Sequence, residues 1–221
     1  MNYKTTNKYF TQKNTVMYVG IGIAVLGVIF AWLWWWMFGA AIIAVGIACI
    51  IINREGLVKG EEVDAELAKK TAEFEEETIK SYNIVRSSAS IISFSDYVFE
   101  GENAASMCKG TDGKFRPKRA ISTCLFTTDG KLVVEKKAFS IVEDSETESS
   151  SVFAFSDIAP LAITEKVLED EGGVLVKYRV LEIKDREGNL LAQSPVPQNS
   201  MIYDSISTVN REIKAAHKSA K

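Results

Sequence analysis

The sequence predicts a membrane α-helical hairpin joined to an α+β soluble domain, in which about seven antiparallel strands form a small barrel capped by a C-terminal helix. Three observations predict it. No residue from Asn14 to Asn53 carries a charge. Short apolar runs of period two, separated by turn residues, then recur between residues 91 and 196. Finally Ile202, Ile206, Val209 and Ile213 recur at helical spacing.

The uncharged run is too long for one crossing. At about 1.5 Å per residue it would make a helix about 60 Å long, twice the ~30 Å hydrocarbon core. Split near residues 34–39 it gives two spans, so residues 16–53 read as a hairpin and residues 1–15 as a basic N-terminus. Trp32, Trp34, Trp35 and Trp36, all the tryptophans of the chain, fall at the split. Tryptophan favours the membrane–water interface, which suits a turn emerging on the far face. Both flanks are basic: Lys4, Lys8 and Lys13 before the run, Arg54 and Lys59 after it. Short basic flanks stay cytoplasmic. The expectation is therefore an integral inner- or plasma-membrane protein with both termini and the soluble domain in the cytoplasm. Gly20, Ala24, Gly27 and Ala31 are matched with Ala40, Ala44 and Ala48 as a small-residue contact between the helices.

Residues 54–83 read as a charged helical linker. Val63, Leu67, Phe74 and Ile79 form a narrow apolar stripe with a Glu66–Lys70 pair at i, i+4 spacing. The expectation is a solvated helix, with self-pairing of two copies as the alternative.

The domain proper is assigned to residues 84–221. Its strands are read at 91–99, two within 119–142 turning at Asp129-Gly130, then 150–158, 161–169, 174–184 and a last run from Leu190. Turns are read at Gly172-Gly173 and Glu187-Gly188-Asn189. The acidic stretch 142–151 is taken as a solvated connection. Beyond Pro197, Asn199 or Ser200 caps the final helix. Helices segregated to one end of an antiparallel sheet define the α+β class.

The stretches "CLFTTDGKLVV" (124–134), "FAFSDIAPLAI" (153–163) and "GNLLAQSPVPQN" (188–199), in this order before a last helix, resemble the pleckstrin-homology (PH) superfold with its GRAM and bacterial PH-like relatives. The resemblance spans about residues 90–218. It implies a small barrel, and it implies that the loop between the first two long strands faces phosphorylated lipid headgroups. In this chain that loop is "CKGTDGKFRPKR" (108–119), where Lys109, Lys114, Arg116, Lys118 and Arg119 surround Phe115. These six are the candidate residues for contact with anionic lipid or a partner.

Composition narrows the function. Beyond residue 53 there are 23 basic and 29 acidic residues, an acidic balance that disfavours nucleic-acid binding. The single histidine, His217, lies near the end and reads as a frayed tail residue. Nucleophile–base pairs built on histidine are therefore not expected, and no catalytic residue, metal ligand or cofactor is assigned. Cys49, Cys108 and Cys124 lack a C-x-x-C spacing and read as reduced thiols. The expectation is a non-enzymatic adaptor or scaffold held on the bilayer, with a protein partner or a second copy bound to it. An accessory subunit of a transporter or secretion complex is the alternative.

Overall fold

The computed structural model describes residues 1–12, 15–33, 36–84, 91–100, 107–169, 173 and 175–219. Helices α1 (Tyr3–Thr11), α2 (Thr15–Leu33), α3 (Trp36–Gly56) and α4 (Gly60–Ser81) come first. The strands follow: β1 (Ile91–Tyr97), β2 (Cys108–Lys109), β3 (Phe115–Arg116), β4 (Arg119–Thr128), β5 (Lys131–Ser140), β6 (Glu146–Ala154), β7 (Ala162–Glu169), β8 (Leu175–Lys184) and β9 (Leu190–Pro195). Helix α5 (Ser200–Ser219) is last.

Thr15–Leu33 and Trp36–Arg54, with mean hydropathies of 2.4 and 2.2, are long and apolar enough to cross a bilayer. Glycine sets how closely they pack. A Cβ on Gly20 would stand 2.8 Å from the Gly46 carbonyl oxygen, and one on Gly46 would stand 2.6 Å from that of Gly20. Gly27 meets Ile43, and Gly39 meets Ala31. The expected Gly20–Ala24–Gly27–Ala31 face is thus the contact face, but its counterpart is not Ala40, Ala44 and Ala48, which are exposed. Backbones this close exclude even an alanine methyl, so Gly39 and Gly46 take the seam.

The charged helix is not a free linker. Val63, Leu67, Thr71, Phe74 and Thr78 of α4 are buried against the domain, while Ile79 stays half-exposed. The stripe left open to solvent or to a second copy is occupied by the chain's own sheet. Hydroxyls stitch this contact: Thr71 Oγ1 lies 2.6 Å from Ser95 Oγ on β1 and 3.1 Å from Ser122 Oγ on β4. Asn83, at φ 52°, ends the helix in the left-handed region, where asparagine is tolerated. The N-terminus is likewise structured, because α1 buries Thr6 and Tyr9.

One sheet runs β1-β4-β5-β6 and a second runs β7-β8-β9, all neighbours antiparallel. Asp129 and Gly130, both at positive φ, make the tight β4–β5 turn that Asp-Gly favours. The second strand pair turns through Asp185–Asn189, where the Asp185 carboxylate accepts from the N–H groups of Glu187 and Asn189. The turn read at Gly172-Gly173 includes a residue outside those described. The acidic connection is partly strand: β6 begins at Glu146, because Glu146 and Glu148 find cationic partners in Lys70 and Lys137 across the neighbouring elements.

Two cores result. The first lies between the sheets and α5, where Ile92, Leu125, Leu181, Ile183 and the full stripe Ile202, Ile206, Val209 and Ile213 are buried. Asn199 caps α5 through Met201 N–H at 3.0 Å. Asn210 fastens the helix to the second sheet with two hydrogen bonds to the Leu161 backbone. His217 is not frayed: its Nε2 lies 2.8 Å from the Phe155 carbonyl oxygen. The second core, on the opposite face, joins Tyr9, Val58, Val63 and Leu67 to Tyr97, Phe99, Phe139 and Ile141.

The expected barrel needs correction on two points. The described residues hold nine strands and not seven, because β2 and β3, two residues each, are too short to show an alternating pattern. The sheets also do not close on each other. β9 ends at Pro195, Val196 N–H makes one last bond to Arg179 O, and Pro197 has no N–H with which to continue the ladder.

Candidate functional site

Residues 108–116 form a small hairpin that turns through Gly110–Lys114, with Gly110 N–H donating to Lys114 O at 2.9 Å. Gly113, at φ 78°, supplies the left-handed step of that turn. Strand alternation then sends adjacent side chains in opposite directions. Lys114, Lys118 and Arg119 are exposed, and Phe115 is half-buried. Lys109 Nζ sits 5.3 Å from the centre of the Phe115 ring, a cation–π pair.

Arg116 points the other way and is only 1 % exposed. Its guanidinium donates to both carboxylate oxygens of Asp64 on α4, at 2.8 and 2.7 Å, and to both of Asp112, at 3.0 and 2.6 Å. Tyr9 Oη, from α1, accepts from Nη1 at 3.3 Å. Burial alone would lower the Arg116 affinity for its proton; the Asp64 and Asp112 carboxylates reverse this and hold it above the ordinary range. The Arg116 hydrogen bonds hold Asp112 at about 2. Burial pushes Asp64 up, but the bonds from Arg116 and from Tyr97 Oη outweigh it and the net shift is downward. Glycine makes room for the cluster, since a Cβ on Gly60 would stand 2.5 Å from Arg116 Cζ. Arg116 is thus a tie between three elements and not part of the surface that the sequence grouped it with.

The cluster stands at the base of the helical hairpin. Gly60 follows the end of α3 at Gly56, and Tyr9 precedes the start of α2 at Thr15. The two flanks are fastened to each other as well: Gln12 Nε2 donates to Val58 O at 3.1 Å, and Val58 N–H donates to Gln12 Oε1 at 2.9 Å. Thr6 Oγ1 donates to Ile141 O at the end of β5. At the opposite end of the hairpin Trp32 and Trp36 are 89 % and 72 % exposed. Trp34 and Trp35 lie outside the described residues.

Beside the Arg116 cluster, between β1 and the start of β8, opens a hollow of about 890 Å³. Asp64, Lys114 and Phe115 border it on one side, and Lys177, Tyr178 and Arg179 on the other. Phe99 and Tyr178 stack in its wall with ring centres 5.3 Å apart. Asp96 also lines it, and burial pushes its carboxyl up to about 6. The three cysteines are free thiols, and burial pushes Cys124 up to about 12, out of reach of thiolate chemistry at neutral pH.

The comparisons add no relative. The chain matches no protein-family model, no curated protein and no solved structure. The functional reading therefore rests on this geometry.

Sequence reasoning singled out the basic loop but not its partners. Tyr9 and Asp64 are distant from Arg116 in the chain, and nothing local marks the pairing. The "FRP" stretch at 115–117 gives no signal either, because strand alternation turns only one of Phe115 and Arg116 inward and does not say which.

Proposed function

We propose that this chain is a non-enzymatic, membrane-anchored recruiting module. The helical hairpin sits in the inner or plasma membrane, both termini are cytoplasmic, and a PH-like domain offers its binding surface at the bilayer. The observation that carries this reading is the joint docking of both hairpin flanks on one domain, through Gln12–Val58 and through the Arg116 cluster. A domain fastened in this way is not on a loose tether, so its surfaces keep a constant height above the membrane.

Several features support the proposal. A core helix of a soluble protein buries most of its surface, whereas α2 and α3 expose Val25, Val28, Phe30, Val45, Ile47 and Ile52 around their outer faces. Apolar surface that extensive calls for lipid or protein cover. Lys8, Arg54, Lys59, Lys109 and Lys114 are exposed around the hairpin base, where each basic residue near an anionic leaflet contributes about 1 kcal/mol. The four-strand sheet, three-strand sheet and closing helix support the PH-like resemblance in order, while the open seam departs from it. Holding a weak module at the surface raises its effective concentration without a new contact.

The test is topological. Asn2→Cys and Lys218→Cys are each introduced into the full chain with its native thiols changed to alanine. An impermeant maleimide should label neither in intact cells and both after lysis. Labelling of either from outside would overturn the anchored cytoplasmic reading.

A further inference from the structure

The walls of the hollow between the sheets are strand edges. Leu175, Val176, Lys177, Tyr178 and Arg179 all line it, consecutive residues instead of alternate ones. Side chains alternate between the faces of a strand, so consecutive lining means that β8 is met edge-on. The ladder gives each group its direction. Val196 N–H donates to Arg179 O at 2.9 Å on the β9 side, and in an antiparallel strand the main chain of every second residue points the same way. The N–H and C=O groups of Lys177 and Leu175 therefore point into the hollow, beyond the end of β9, and pair with no other described backbone group.

The facing edge is treated differently. Val98 N–H donates to Arg119 O, which turns the main chain of Tyr97 toward the hollow. Its N–H is taken by the Asp96 carboxylate at 2.8 Å. At Tyr97 the facing edge is thus blocked by a neighbouring side chain, whereas at Leu175 and Lys177 the edge is open among the described residues. Unpaired main-chain donors and acceptors in a row are a template for another strand.

Charge decides the kind of strand. Glu165 lies 3.4 Å from Lys177 Nζ and 3.8 Å from Arg179 Nη2, and Arg116 is held by two carboxylates. Lys114 also borders the hollow, so its four cations, Lys114, Arg116, Lys177 and Arg179, stand against the four acids Asp64, Asp96, Asp112 and Glu165 among the described residues, and the overall charge does not select an anion. Leu175 is 63 % exposed at the mouth, and Leu67, Phe99, Val176 and Val196 contribute apolar lining.

We propose that this seam binds an extended, uncharged segment of a partner protein, added as a strand along Leu175–Lys177 with an apolar side chain over Leu175. The proposal names the partner class for the recruiting role above and rests on that reading. Its chemistry resides in main-chain amides, so one backbone N–H tests it.

A random-peptide phage library is selected on the full chain in detergent micelles, and enriched peptides are synthesised for affinity and hydrogen-exchange measurements. Enriched peptides should be uncharged, alternate in apolar residues, and slow amide exchange at Leu175 and Lys177. Lys177→Pro removes the edge N–H without touching the β7 ladder and should weaken binding about fivefold to tenfold. Lys177→Ala keeps the N–H and should bind like the unaltered chain. Equal weakening by both variants, no enrichment, or enrichment only of acidic peptides released by salt would overturn the proposal. So would a dimer of the full chain lost on Lys177→Pro, which assigns the edge to a second copy. Protection of Leu175–Lys177 by nanodiscs of anionic lipid alone would assign it to headgroups. Peptide binding that survives a failed maleimide test would leave the seam standing and remove only the membrane reading.

Discussion

Arg116 and Asp96 both line one hollow, and their surroundings favour the charged form of the first and the neutral form of the second. Arg116 is buried with two carboxylates in place, so its loss strands both acids beside a cavity. Arg116→Ala should destabilise the fold by about 3 kcal/mol, the range for breaking a buried ion pair from one side. Arg116→Lys should recover less than half of that, since an ammonium cannot fork to Asp64 and Asp112 at once. Thermal unfolding in detergent reads both, and full recovery by lysine would show that charge alone suffices. Asp96 is the reverse case. Its folded-state pKa of about 6 lies above the usual 3.8, so the folded chain binds the extra proton between those values. Asp96 therefore favours folding at low pH, and that advantage is lost as pH rises through 6. Asp96→Asn keeps an acceptor for Tyr97 N–H and removes the charge. It should stabilise the fold by about 2 kcal/mol at pH 7.5, with the gain gone below pH 4. A gain independent of pH would dissociate the effect from titration. Neither residue was legible beforehand in this role, because the cation count of 108–119 says nothing about which cation turns inward.

Among the elements, those with a strong period were legible and those joined by hydroxyls or by glycine were not. The α5 stripe is read directly from Ile202, Ile206, Val209 and Ile213, and all four are buried. The α4 stripe is equally visible, but its cover is not, because Thr71, Ser95 and Ser122 look like surface residues in a sequence. α1 buries only Thr6 and Tyr9 and leaves no apolar period. Between α2 and α3 the contact face of the first helix was identified and that of the second was not, since alanine and glycine are both small and only the glycines permit this approach. Gly46→Leu should therefore force the pair apart at a cost of about 2 kcal/mol in an SDS titration of mixed micelles. Gly22→Leu, where a Cβ meets nothing within 4 Å, should have little effect. Equal effects of the two would place the seam elsewhere.

At the scale of the whole molecule, the strand order and closing helix were legible, while the unclosed seam was not. Apolar alternation along β1 and β8 tells which side chains are buried, but the pairing of a strand edge depends on where its neighbour stops. Pro195 and Pro197 are the trace of that stop, and each is also an ordinary loop residue when met in a sequence. The open edge at Leu175 and Lys177 and the blocked position at Tyr97 are thus properties of assembly and not of any segment.

The reciprocal bonds between Gln12 and Val58 have a consequence for biogenesis. Everything between those two residues is a loop whose ends must meet before the second core is complete, since Thr6 and Tyr9 come from one side of it and Val58, Val63 and Leu67 from the other. A nascent chain that delivers its first residues to one compartment and its later ones to another leaves Arg116 without its phenol and Ile141 without its hydroxyl. In the proposed anchored arrangement, the head reaches full stability only when the entry and exit points coincide.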